Sequence, residues 1–302
     1  MAQDNLAWQS KLVLLLVLPV VAADVVLQSH ASLQVRTSWT LSLPVALWTL
    51  GLSFLLGLIA WKTHSATPLA AATGAAISAS LIFSTTSSPY QPWRTGLVPV
   101  LAVLVLTSLA TRLGRQRKER LGTAESRKGR KASQVAANLG VAALACIGPS
   151  RNWQINQPHL HLSSLLYAAV FIAGLAALCE AVADTVSSEL GQVLNSRPRM
   201  ITTLRIAEPG TDGAISLGGT TAGLLAAAFV ALSGSAALGG GWLMFWISWA
   251  GGVFGLFFDS FLGATFERRG WLNNDAVNFL STCSAVACAL TLLAFRSRLD
   301  LH

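Results

Sequence analysis

Apolar residues in this chain come in blocks. Runs of roughly 15 to 22 residues rich in Leu, Ala, Val and Gly recur from one end to the other, divided by short polar breaks. A hydrocarbon core takes about 20 apolar residues per helix, and only helices or closed barrels satisfy their own backbone there. The pattern therefore predicts an all-α polytopic transmembrane bundle of about nine helices. They are expected at roughly 11–27, 41–61, 67–84, 96–111, 134–149, 163–184, 219–240, 242–264 and 276–295. The first run, Lys11 to Val26, has a weak cleavage motif at Ala22-Ala23-Asp24 and a single Lys as its basic flank. It reads as an uncleaved first helix rather than a signal peptide.

The breaks divide the chain. Residues 1–111 hold the first four helices, 112–133 form a basic loop, and 134–302 hold the last five. The loop, RLGRQRKERLGTAESRKGRKAS, carries nine Lys/Arg against Glu119 and Glu125. Basic loops stay on the cytoplasmic side, so the N-terminus is expected there too. That arrangement puts 16 of the 21 Lys/Arg inside and five outside. The loop also suits anionic lipid headgroups, or a polyanionic nucleotide drawn to the site. No aromatic residue is interleaved with the basic ones, so nucleic acid is not the expected partner.

Composition agrees with a membrane chain. Of 302 residues, 53% are hydrophobic and 11% charged, against about 25% charged in soluble proteins. The four cysteines, Cys146, Cys179, Cys283 and Cys288, lack metal-ligand spacing and read as small core residues. His159 and His161, at i, i+2 with no acid or Cys nearby, read as surface residues.

Acids break the pattern. Eight of the 13 lie between 180 and 275, in a protein of net charge +8. Charge kept beside a bilayer marks a substrate, ion or metal site. On the expected topology the polar segments 184–191, 209–219, 259–267 and 273–278 all fall at the cytoplasmic interface. In the first, ADTVSSELGQ, the 3.6-residue period puts Glu180, Asp184, Ser187 and Gly191 on one arc, with Glu189 pointing about the opposite way. Two stacked carboxylates there suit Mg²⁺ completed by substrate phosphate. In the second, EPGTDGAISLGGT, Pro209-Gly210 suits a tight turn, and the glycines let backbone amides approach a ligand. The segment then enters a helix whose N-terminus favours phosphate, although no Gly-Lys-Ser/Thr of a Walker loop follows. The third, FFDSFLGATFERRGWLNNDAVN, puts Asp259 on the last turns of a helix after two phenylalanines. Asn274 and Asn278 stack at the start of the next, and Asn138 opens the fifth helix just after the basic loop.

DTVSSELG, ITTLRIAEPGTDGAISLGGT, DSFLGAT and NNDAVNF, in that order and with the looser QVAANLGVAAL before them, resemble the transmembrane protein 19 family, also called domain of unknown function 92. The resemblance covers roughly 130–295; the first four helices match only in hydropathy. It implies prenyl-phosphate kinase chemistry. The plant member is a phytyl-phosphate kinase of the tocopherol and chlorophyll-salvage route, using a nucleoside triphosphate such as CTP to make the diphosphate. By that resemblance Mg²⁺ and CTP or ATP are the expected cofactor and co-substrate, and a phytyl or geranylgeranyl monophosphate is the expected acceptor. Phosphoryl transfer needs charge neutralisation and in-line placement more than a strong base. Asp184, Asp212 and Asp259, with Glu189 or Glu180, are then the expected metal ligands. Gly210, Thr211 and Gly213 would meet nucleotide phosphate, Arg205 the acceptor phosphate, and Ser216 and Asn278 would orient groups. The rival reading is a transporter or flippase of a lipid phosphate or small anion. Transporters show inverted repeats and midplane charge, whereas here no repeat is evident and the charge gathers at one face.

Overall fold

The computed structural model describes residues 6–34, 39–87, 90–126, 128–147, 164–194 and 197–299. His159 and His161 lie outside them. Ten helices are present among the described residues: α1 (Ala7–Gln34), α2 (Trp39–Lys62), α3 (Pro68–Ser84), α4 (Leu97–Arg112), α5 (Arg115–Leu121), α6 (Ala132–Cys146), α7 (Ser164–Gly191), α8 (Leu217–Leu238), α9 (Gly241–Leu262) and α10 (Asn274–Leu299). A two-residue antiparallel pair, β1 (Arg199–Met200) with β2 (Ala214–Ile215), ties the segment between α7 and α8. Every apolar block is a helix. Six of them (α1, α2, α7, α8, α9 and α10) are long and apolar enough to cross a membrane. A seventh span results if α4 and α5, bent by 63° at Leu113–Gly114, count as one. The remaining two, α3 and α6, have 17 and 15 residues, short of the 20 or so that a hydrocarbon core takes. The segment read as a basic loop thus carries a two-turn helix, α5, with an Arg115–Glu119 pair at 3.1 Å along one face.

The bundle is wrapped around α7. Of its span 67% is buried in protein, against 22% for α1 and α2. Alanines make this possible: Ala173, Ala176, Ala177 and Ala183 are all buried and let neighbours approach closely. α8 comes nearest, because its Gly219 and Gly223 lie on the Ser187 and Ala183 carbonyls, where a Cβ would stand 2.4 and 2.7 Å away. α9 uses Gly252 the same way against Cys179, so that cysteine is the small core residue expected of it.

One end of the bundle gathers the polar connections. Gln9 at the start of α1 donates to the Trp271 carbonyl and accepts from the Asn273 amide, at 2.9 and 2.8 Å. The α2–α3 link pairs with the basic segment, Thr67 N donating to the Arg130 carbonyl and Arg130 N to the Ser65 carbonyl. Arg117 donates to the Val193 carbonyl just beyond α7, and Thr123 bonds Gln192. The links before α3, between α4 and α6, after α7 and after α9 therefore share a face with the start of α1. An alternating path through the expected helices requires that arrangement.

Candidate active site

At that end lies a polar pocket of about 390 Å³, within the range of about 300–1,000 Å³ found for small-molecule sites. All four acid-bearing segments reach it, together with the basic segment. Asp184 comes from the penultimate turns of α7 and Asp259 from the last turns of α9. Because α7 and α9 pack so closely, the two carboxyls face each other in contact. Bare carboxylates at contact repel unless a proton or a cation comes between them. The Asp259 Oδ1 atom is buried and has no hydrogen-bond partner among the described residues, which leaves it open to a positive group. Beyond Asp259 the helix widens into a π-helical turn, Gly263–Glu267, and Glu267 joins the wall.

The turn 208–214 folds over this widened segment. Thr211 N donates to the Glu208 carbonyl, and Ala214 N to that of Thr211. Gly213 has φ 73°, and a Cβ on it would stand 2.2 Å from the Ala264 amide, so both conformation and space demand glycine. Asp212 is exposed at the mouth. Partial burial lifts its carboxyl above the ordinary aspartate range, and Arg268 pulls the other way. Ser216 is buried and caps α8, its hydroxyl accepting from Gly219 N at 3.1 Å. The positive end of α8 thus lies along the pocket wall. On the opposite wall Asn278 donates to Asn138 Oδ1 at 2.7 Å.

The structure brings Asp184, Glu189, Gly210, Thr211, Asp212, Gly213, Ser216, Asp259 and Asn278 to one pocket. It sets three of the expected residues apart in role or place. Glu180 sits behind the wall and is 1% exposed. Its two oxygens accept from Ser281 Oγ and Thr282 Oγ1, at 2.7 and 2.8 Å, and pin α7 to α10. Glu189 lines the pocket, but its Oε2 receives Lys118 Nζ at 2.6 Å. That ammonium, 1% exposed, also closes the last turn of α4 through the Ala110 and Thr111 carbonyls. Arg205 is exposed and does not line the pocket; among the described residues only its backbone is engaged, its carbonyl accepting from Met200 N. The five acids expected to share a metal consequently do not form a cage. Among the described residues no three His, Cys, Asp or Glu side chains are grouped as metal ligands. What remains fits a smaller role, since Mg²⁺ is ordinarily held by one or two carboxylates with phosphate and water completing its shell. The Asp184–Asp259 pair, with the unpartnered Oδ1, offers such a donor set.

Arg130 is the cation that sequence reasoning passed over. It was one of nine basic residues in a run, with nothing in its spacing to single it out. In the structure it lines the pocket and its charge acts on Asp184. Its backbone is fixed by the pairing to residues 65–67.

A sequence profile described as integral membrane protein DUF92 matches residues 51–286. The chain belongs to this family. Family resemblance thus extends well ahead of residue 130, into the second helix. Relatives include an uncharacterized membrane protein of Methanocaldococcus jannaschii, 35% identical over 62% of this chain and 71% of its own length. Protein VTE6, chloroplastic, of Arabidopsis thaliana is 32% identical over 66% of this chain and 59% of its own length. An uncharacterized membrane protein of Synechocystis is 32% identical over 66% of this chain and 73% of its own. No solved structure matches.

Proposed function

We propose that this family member is a membrane prenyl-phosphate kinase, moving the terminal phosphoryl group of CTP or ATP to a prenyl monophosphate to give the diphosphate. One observation carries the reading: the facing Asp184 and Asp259 carboxyls share a pocket with a glycine turn and a helix N-terminus. Acids alone would suit a cation, and amides alone an anion. Both on one wall suit a metal–phosphate complex. The family resemblance supplies the prenyl substrate and the nucleotide.

In this reading the backbone of Gly210–Gly213 and the start of α8 hold nucleotide phosphate. Arg130 takes the acceptor phosphate, in the role first given to Arg205. Asn138 and Asn278 fix the wall between them. Mg²⁺, bound by Asp184 and Asp259, would neutralise charge on the phosphates. The basic segment marks this end as cytoplasmic by the positive-inside rule.

The test is an assay in nanodiscs with Mg²⁺, CTP or ATP, and C10 to C20 prenyl monophosphates or alcohols, followed by mass spectrometry. Diphosphate formed from monophosphate, dependent on Mg²⁺ and lost in Asp259→Asn, is the expected result. Absence of product with every pair, from folded protein that binds the lipid phosphate, would overturn the kinase and favour transport.

A further inference from the structure

A second cavity, of about 530 Å³, lies between α2, α3, α4 and α6. Its deep wall is apolar and built of small residues: Gly57 on α2, Ala71 and Gly74 on α3, Val100 and Val103 on α4. Along α4 the lining runs from Val100 to Arg112, which at 1.5 Å per residue is about 18 Å. The mouth is cationic, with Arg112, Arg115 and Arg130. Glu125, Arg130 and Asn138 line both this cavity and the polar pocket, so the two compartments adjoin along a common wall.

The polar pocket has no room of the right kind for a hydrocarbon. Acids, amides, hydroxyls and glycines make up most of its wall, and Ile215, Leu256 and Phe257 are its largest apolar contributions. A substrate with a phosphate at one end and a hydrocarbon at the other must therefore use both compartments. The phosphate belongs at the shared wall, where Arg130 stands.

We propose that the α2–α3–α4–α6 cavity holds the isoprenoid tail of the acceptor, with Arg130 at the head–tail junction and Gly74 setting how bulky a tail is admitted. This rests on the kinase reading for the nature of the substrate. Gly74 is the informative position. A Cβ there meets only Val135 Cγ1 of α6 within 4 Å, at an ordinary contact of 3.7 Å, and Gly74 lines the cavity, so a larger side chain takes up cavity space without a backbone clash at Cβ. Gly57, by contrast, would press on the Ala71 carbonyl at 2.9 Å and push α2 from α3. Leucine also favours helix over glycine, so Gly74→Leu is compatible with folding.

The experiment compares wild type and Gly74→Leu with C20 and C10 prenyl monophosphates. Each extra apolar group in a filled pocket is discriminated strongly, so the C20/C10 ratio of kcat/KM is expected to fall by at least about tenfold. An unchanged ratio in an active enzyme overturns the tail site and leaves the kinase reading standing. A second measurement does not depend on turnover. Wild-type protein in nanodiscs is irradiated with a C20 prenyl monophosphate bearing a terminal diazirine, with excess phospholipid present. Cross-links within 70–78 or 100–107, reduced in Gly74→Leu, are expected. Cross-links spread over the lipid-facing surfaces of α1 and α8 overturn the proposal, even where no kinase activity is found.

Discussion

The two compartments meet at Arg130 and Asn138 yet are made in opposite ways. The polar pocket is drawn mostly from the second half of the chain, on helices locked to α7 by glycine and alanine seams. The apolar cavity is drawn mostly from the first half, where α3 and α4 touch only sparsely and α2 is mostly turned to the outside. Tight seams hold reacting groups in register, because packed helices leave side chains few alternative positions. A loosely packed wall of Gly and Ala asks little of its occupant beyond being apolar and narrow. The contrast also explains the motifs. Groups that must stand at fixed distances need specific residues, whereas a hydrocarbon wall needs only hydropathy.

Breaking the tight half should have the larger effects. Asp184→Asn removes one member of the facing carboxyl pair and should lower kcat by about 10²–10³-fold, the cost typical of deleting a preorganised electrostatic contact. Membrane insertion, followed by yield and monodispersity in detergent, should be unchanged. Lys118→Met strands Glu189, whose side chain is only 12% exposed, and should destabilise by about 3–5 kcal/mol. Adding Glu189→Leu should restore much of that in a thermal-shift measurement; a double variant no more stable than the single would exclude the ion pair as the cause. Glu180→Ala takes one acceptor from each of Ser281 and Thr282, which keep the Asn278 carbonyl, and should cost about 0.5–1.5 kcal/mol for each bond lost. Near-normal thermal stability of that variant would return Glu180 to the candidate ligands. The smallest effect sharpens the comparison between two arginines. Arg130→Ala should raise the acceptor KM by about 10-fold or more, as expected for a charge-assisted contact, while Arg205→Ala should stay within about twofold. The reverse order would restore Arg205 to the acceptor site.

Much of this was legible in the residues. Nine apolar blocks became nine helices, although only six, or seven with the bent α4–α5 pair, are long and apolar enough to cross a membrane, and segments 90 residues apart in sequence were expected at one face because the basic run fixed a common side. Asp259 stood out because two phenylalanines precede it, and Gly210–Gly213 because only a turn explains such a string. What escaped was partnership. Nothing local to Glu180 announces that Ser281 and Thr282 will take both its oxygens, since those hydroxyls belong to a helix a hundred residues on. Helical periodicity grouped Glu180 with Asp184, and at the level of the arc that was sound; depth along the helix decided the difference. Lys118 was one basic residue among nine, and only the close of α4 against α7 selects it for Glu189. Arg130, not Arg205, is held at the pocket by a backbone pairing with residues 65–67, across a gap that no motif spans. The shortness of α3 and α6 was already visible, since 67–84 and 134–149 were expected and Pro68–Ser84 and Ala132–Cys146 form.

That backbone pairing ties the arginine to the α2–α3 link. Gly129 lies directly on Ala66, where a Cβ would stand 2.5 Å from its amide, so the segment carrying Arg130 is stitched to the mouth of the apolar cavity. A tail wide enough to part α2 from α3 would tow the guanidinium with it, away from Asp184. On the kinase reading the protein would then measure its hydrocarbon with a charge: a poorly fitting chain would be penalised at the phosphate, several bonds from the carbon that does not fit.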